Sequence, residues 1–357
     1  MAKRVTMTQV ARRAGVSRSA VSAAFSDRAT TVGLNPATRE QIRKVAAELG
    51  YEPNILSRAF IKQQSFLISM ISREVFFLFA LDTIKGIEDV LESTDYSLLT
   101  YYHGSWANDQ AKHLKKSLSR RVDGVIIVGA PEHSDGPNHQ TIRELRKSDT
   151  PVIQLYRRLF PMVPVVMIDD EQAGYDGVRH LIELGHRKIA HVTIEGYQDT
   201  EFPGTEDEAR RRCKGYVRAM EEAGLKPSIV TFERRIDLRP TPNDYTNECA
   251  MAAKRLRDGG FTAATAFNDY TAFGLIQNFN EMGVRVPDDI SLVGYDNIEA
   301  TALMRPTLTT FRPKLFDIGR IAGETMLRML NKQPVQDAVL PPVLLVRGST
   351  VAPAARR

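Results

Sequence analysis

The sequence predicts a small all-α head, joined by a hinge helix to a two-lobed α/β body built on two doubly wound parallel sheets. Three observations predict it. Basic residues crowd the start of the chain, with 11 Lys and Arg against 4 Asp and Glu over residues 1–62 and 37 against 39 over the rest. That same stretch carries short apolar stripes at helical spacing, closed by cap and stop residues. Beyond residue 65, short apolar runs alternate with longer amphipathic stretches, the pattern of strands and helices in a parallel sheet.

The head comes first. Thr6, three residues before Gln9, makes a capping box and predicts a helix from Met7. Val10, Ala11 and Ala14 give that helix its apolar side, while Arg12 and Arg13 face out. Gly15 ends it, since glycine accepts the left-handed backbone of a tight turn. Ser17 caps a second helix with Ala20, Val21, Ala24 and Phe25 on one side and Arg18, Ser19 and Ser22 on the other. A helix start with such short polar groups suits the base edges of a DNA major groove. A polar loop over 27–35 leads to a third helix over 36–49, opened by Pro36 and striped by Ile42, Val45, Ala46 and Leu49. Gly50 stops it. Residues 55–60 then form a short apolar segment with helical character, too short to be stable alone.

In the body, strands are predicted over 66–71, 97–101, 122–128 and 151–155, separated by helices over 81–92, 108–119 and 140–147. The alternation restarts with a strand over 165–168. Strands over 189–193, 229–232, 263–267 and 290–294 follow, between helices over 175–184, 207–223, 243–257 and 270–282. Doubly wound sheets bind ligands at the crevice outside their strand ends.

A chain of 357 residues needs more than one core, and its 43% apolar and 25% charged residues are those of a globular protein. No apolar run reaches the 18 residues of a membrane span, and no apolar signal core follows Lys3 and Arg4, so a cytoplasmic protein is expected. Cys213 and Cys249 offer neither a disulfide framework nor a metal spacing. No cofactor or metal is implied. The motifs of serine hydrolases, zinc proteases, P-loops and dinucleotide folds are missing, and His186 reads as a turn residue. A basic head on a near-neutral body is the footprint of a nucleic-acid-binding module.

Taken together, the motifs resemble the LacI/GalR family of bacterial transcription regulators along nearly the whole chain. The head fits T-x-x-x-V-A-x-x-A-G-V-S-x-x-x-V-S over 6–22, and Thr38-Arg39 and Gly50-Tyr51-x-Pro53-Asn54 fit the third helix and hinge. In the body the fit runs through Val122-Asp123-Gly124, Leu184-Gly185-His186-Arg187-Lys188-Ile189-Ala190, Asn268-Asp269, residues 286–296 and Pro306-x-Leu308-Thr309-Thr310. The resemblance implies a homodimer on a pseudo-palindromic operator. It also implies a small-molecule effector, most often a carbohydrate, between two lobes resembling periplasmic sugar-binding proteins. Repression is the family default. The expected domains are a head over 1–50, a hinge over 51–64, a first lobe over 65–166 and 312–342, and a second over 167–311 and 343–357. A solute-binding or sugar-modifying protein is the alternative.

Site residues follow from the resemblance. Thr6, Ser17, Arg18, Ser19 and Ser22 in the head, with Asn54, Ser57, Arg58 and Phe60 in the hinge, are the expected DNA contacts. Arg18 either reads a guanine bidentately or holds a phosphate. Phe60 stands where the family wedges a leucine between base pairs, and either wedges there or packs on the body. Ala23 and Ser26 depart from the family's usual Arg and Asn. Arg212, Asn268 and Asp296 are the expected effector contacts, joined by Tyr156 and by Trp106 as an aromatic wall. Arg212 could instead serve an ion pair, with Arg210 and Arg211 as surface charges.

Overall fold

The computed structural model describes residues 5–25, 34–52, 59, 62–73, 77–103, 107–128, 136–198, 206–233 and 242–354. It separates into a unit over Met1–Ser65 and a unit over Phe66–Arg357.

The first unit holds helices α1 (Met7–Ala14), α2 (Arg18–Ala24) and α3 (Pro36–Glu48). The capping box forms as predicted: the Thr6 hydroxyl accepts from the Gln9 amide at 3.4 Å, and Gln9 Oε1 accepts from the Thr6 amide at 2.7 Å. Gly15 turns the chain with φ 69°, and Ser17 Oγ accepts from the Ala20 amide at 3.1 Å. Asn35 caps α3 through the Ala37 amide at 2.9 Å. Val10, Val21 and Ile42 are wholly buried where the three helices meet. Ala23, which stands where the family usually has an arginine, is buried as well. Arg39 and Arg43 of α3 both donate Nε–H to the Ala24 carbonyl at 3.2 Å, satisfying a carbonyl at the end of α2 that the helix itself leaves open.

The second unit carries two six-stranded sheets. With β1 (Leu67–Arg73), β2 (Ser97–His103), β3 (Gly124–Ile127), β4 (Val152–Leu155), β5 (Val165–Ile168) and β11 (Ala338–Leu340), the first sheet runs β11-β5-β4-β3-β1-β2, all parallel. With β6 (Ile189–Ile194), β7 (Ile229–Phe232), β8 (Ala263–Ala266), β9 (Ser291–Tyr295), β10 (Thr309–Arg312) and β12 (Val343–Leu345), the second runs β12-β10-β9-β8-β6-β7. Only β12 is antiparallel there. The restart expected at residue 165 is corrected: β5 pairs with β4 and belongs to the first sheet, between β4 and β11. The second alternation begins after it.

Helices cover both faces of each sheet. On the first, α4 (Phe77–Leu91) and α12 (Leu315–Leu330) pack one face, while α5 (Ala107–Ser119) and α6 (Pro137–Lys147) pack the other. On the second, α7 (Asp170–Glu183) and α8 (Glu206–Glu222) lie opposite α9 (Pro242–Asp258) and α10 (Asp269–Glu281), and the short α11 (Ala300–Leu303) follows β9. The chain passes between the lobes three times: from β5 to α7, from β10 to α12, and from β11 to β12.

Glycines set the closest helix pairs. A Cβ on Gly215 of α8 would lie 1.9 Å from the Glu171 carbonyl oxygen of α7, and one on Gly174 of α7 would lie 2.0 Å from the Arg212 carbonyl oxygen. The other lobe repeats the device, Gly86 of α4 meeting the Phe316 carbonyl and Gly319 of α12 meeting the Thr83 carbonyl. Three predicted motifs also find their physical reasons. Asp123 accepts from the Phe66 amide at 2.7 Å, Gly124 makes room for Met326, and Gly294 makes room for the Asp269 carboxylate. His186 joins the Thr262 hydroxyl at 3.0 Å to the Val351 carbonyl at 2.8 Å, a structural tie as expected.

Candidate functional site

In the head, Thr6 is exposed at the start of α1, Ser17, Arg18 and Ser19 are exposed at the start of α2, and Ser22 is half-buried one turn on. The Ser17 and Ser19 hydroxyls lie 2.8 Å apart, so Ser19 is held against the cap and Arg18 projects beside it. Asn54, Ser57, Arg58 and Phe60 lie outside the described residues, as does Trp106.

In the body, a cluster of charges gathers where the strand ends of the two lobes meet. Its centre is Arg212 on α8, buried at 7% exposure. Its Nε–H donates to Asp170 Oδ1 at 2.9 Å and Nη1 to the Phe267 carbonyl at 2.6 Å. The guanidinium carbon lies over the Tyr295 ring, 3.3 Å from its centre, a cation–π contact. Burial works against the charge, yet Asp170, Tyr295 and Asp296 hold the Arg212 pKa above its ordinary value. The other oxygen of Asp170 accepts from Arg211 Nη2 at 2.7 Å. Arg211 is therefore no surface charge: it also donates to the Ile168 carbonyl at 3.2 Å and reaches the Tyr156 carbonyl at 3.4 Å. Arg157, just past β4, clasps Glu208 of α8 bidentately at 2.5 and 3.2 Å, one lobe to the other.

Asp296 stands beside Arg212 at the end of β9, with φ 114°, a backbone setting that costs a non-glycine residue strain. Its backbone amide is tied to the Phe311 carbonyl at 2.9 Å, which holds the residue in place. Its carboxylate accepts no hydrogen bond from a described residue. Burial pushes its pKa well above the usual range, with Arg212 opposing and Asp269, Asp170 and Glu208 adding to the rise. Asn268 caps α10, its Oδ1 accepting from both the amide and the hydroxyl of Thr271 at 2.8 Å. Asp269 next to it takes the Thr310 hydroxyl at 2.6 Å and the Ile298 amide at 3.0 Å, so it anchors the loop after Asp296. Burial raises the Asp269 pKa to about 7 against those bonds.

Arg212, Asn268 and Asp296 are thus brought together. The Tyr156 side chain is not: its left-handed backbone, φ 68°, turns the hydroxyl onto Thr83 of α4. Asp170, Arg211, Glu208 and Tyr295 were not picked out by sequence. The Asp169-Asp170 pair at a strand end carried the same signal as Asn268-Asp269. Among the described residues no group of His, Cys, Asp and Glu is placed to hold a metal, and no helix is long and apolar enough to cross a membrane.

Behind the cluster, His191 of β6 is 2% exposed and bonded to the Thr265 hydroxyl at 2.8 Å. Burial, with help from Arg212, lowers its pKa to about 3. The unfolded chain binds that proton below about pH 6.5 and the folded chain does not, so stability falls as pH drops through this window. At pH 5 the loss from His191 is about 2 kcal/mol. A His191→Gln variant should show a flatter melting temperature between pH 6.5 and 5; an unchanged slope would assign the acid sensitivity elsewhere.

Comparison with known proteins completes the site. The model of bacterial regulatory proteins of the lacI family matches residues 6–54, and that of a periplasmic binding protein-like domain matches residues 178–350. The HTH-type transcriptional repressor PurR of Photobacterium profundum is 30% identical over 353 residues, spanning 96% of this chain and 98% of its own. The lac repressor dimer bound to operator and an anti-inducer superposes with a TM-score of 0.75 at 25% identity, covering 98% of this chain and 100% of that one. A LacI family regulator from Enterococcus faecium with bound ribose gives 0.64 at 25% identity, over 80% of this chain and 99% of that one.

Proposed function

The chain belongs to the lacI family of bacterial regulatory proteins and is a DNA-binding transcriptional regulator, and from that premise we propose that it is a repressor switched by a small polar effector. The head, residues 1–50, reads a half-site through Arg18 and Ser19, with Thr6, Ser17 and Ser22 holding backbone phosphates. The hinge, residues 51–64, places Asn54, Ser57, Arg58 and Phe60 at the operator centre. A pseudo-palindromic operator is met by two copies of the chain, as the operator-bound lac repressor is a dimer. The body binds its effector without turnover, in the cytoplasm where its DNA lies.

The observation that carries the effector half is Asp296. A carboxylate beside a buried arginine, with no hydrogen-bond donor among the described residues, favours a ligand rich in hydroxyl or N–H donors. Arg212 and Asn268 have donors left for the same ligand. Ribose in the Enterococcus faecium regulator supports a carbohydrate.

The DNA half is tested by fluorescence polarisation on duplex DNA over a salt series, using the whole chain and one lacking residues 1–62. The whole chain should bind with log K falling linearly in log salt, about 0.9 per phosphate neutralised, and the truncated chain should not bind. Equal, salt-insensitive binding by both would refute the reading. The effector half is tested by a thermal-shift screen of sugars and nucleosides. A ligand at 100 times its Kd should add about 2.7 kcal/mol of stability, and Asp296→Asn should abolish that shift.

A further inference from the structure

We propose that Asp170 is a positioning residue that makes the effector-facing Arg212 and the strap between the lobes a single mechanical unit, with Arg211 as the second arm. The inference rests on the reading that Arg212 meets the effector.

Asp170 is the first residue of α7, two residues past β5, where the chain leaves the first lobe for the second. It is 1% exposed, and each of its oxygens is used by a different arginine. Neighbouring residues on a helix point about 100° apart, so Arg211 and Arg212 would diverge without a shared partner. One carboxylate draws them together. From there the two arms separate. Arg212 runs to the Phe267 carbonyl and the Tyr295 ring, beside Asp296. Arg211 runs to the carbonyls of Ile168 and Tyr156, at the ends of β5 and β4 in the other lobe.

The strap is itself pinned to a second passage between lobes, the Asp169 amide donating to the Leu340 carbonyl at 2.9 Å. One helical turn before Arg212, Glu208 grips Arg157 of the first lobe. The glycine contact of α7 with α8 removes slack, because Gly174 seats directly on the Arg212 carbonyl. A shift of the Arg212 guanidinium toward a ligand therefore turns Asp170, and Asp170 can turn only by changing its hold on Arg211 and the strap. Coupling of this kind needs an element both sites bias, and the shared carboxylate is that element.

The test is hydrogen exchange of the full-length chain without ligand, comparing it with Arg212→Lys, Asp170→Asn and the double variant. Arg212→Lys touches neither the Asp169 amide nor its acceptor. Exchange of the Asp169 amide should nonetheless rise about tenfold, a coupling within the usual range. Asp170→Asn should raise it at least as much, and the double variant no further. Amides of β3 should keep their rates in every variant, which separates a loosened strap from general unfolding. Should Asp170→Asn fail to fold, Arg212→Lys alone still decides. A strap that keeps its wild-type rate in Arg212→Lys overturns the proposal and leaves Asp170 as a local brace. Because no ligand is used, the result is independent of the thermal-shift screen, whose failure would strike the effector reading alone.

Discussion

Replacing Ile42 by alanine is expected to abolish DNA binding while leaving the melting transition of the body in place. Ile42 is wholly buried, and its neighbours in the core are Val10, Val21, Ala24 and Ala46, all within the head. Ile→Ala in a core costs about 2–5 kcal/mol from lost burial and the cavity left behind. A three-helix head of this size rarely holds more than about 3–5 kcal/mol in all. The substitution therefore consumes most of what keeps the head folded. Without the fold, Arg18 and Ser19 no longer share a helix start, and only the diffuse attraction of a basic chain for DNA remains. Calorimetry should show the body transition unmoved beside a polarisation titration that no longer saturates. Binding at wild-type strength by a folded Ile42→Ala head would show that the core carries far more stability than its size implies.

The second large effect is expected at Gly215. Alanine is a better helix former than glycine by about 1 kcal/mol, so on propensity alone Gly215→Ala should stabilise α8. The contact with α7 decides otherwise. The new Cβ would sit 1.9 Å from the Glu171 carbonyl oxygen and 2.7 Å from the Tyr175 amide nitrogen, backbone atoms that cannot rotate away. The helices must part, at a cost of about 3 kcal/mol or more for overpacking. In a body of this size that is a fall of roughly 5–10 °C in melting temperature. Parting them also draws Arg211 and Arg212 off Asp170, so any effector-induced thermal shift should shrink with it. Gly196→Ala is the control: it meets nothing within 4 Å, and its positive φ of 73° costs only about 1–2 kcal/mol. A Gly215→Ala body as stable as the parent would mean the helix pair has slack that its geometry denies.

Much of the fold was legible because its signals are local. Thr6, Gly15, Ser17 and Pro36 each act within one turn, and all mark the helix boundaries they predict. Which sheet a strand joins is not local, and β5 falls in the second alternation by pattern although it pairs with β4 and β11 in the first sheet. The stretch after residue 295 yielded no elements. There α12 carries Gly319 and Gly323, which weaken any helical signal yet are what lets it pack against Thr83 and Val90. Strands β11 and β12 are three residues each, too short for a period to show. In the candidate site, strand-end polar groups led to Asn268 and Asp296. Nothing in the sequence says that two adjacent arginines bend to one carboxylate, so Arg211 read as a surface charge.

The three passages of the chain between the lobes carry a consequence for synthesis. The first sheet takes its edge strand β11 and the covering helix α12 from beyond residue 312, and the second takes its edge strand β12 from beyond residue 342. The first lobe cannot be finished on the ribosome before residue 340 emerges, nor the second before residue 345. At about 5–20 residues per second, two incomplete sheets wait side by side for seconds with unpaired edges at β5 and β10. The three helices of the head, by contrast, end at Glu48, with Tyr51 packed on their core. A nascent regulator can therefore own a folded DNA reader well before it owns anything that could regulate it.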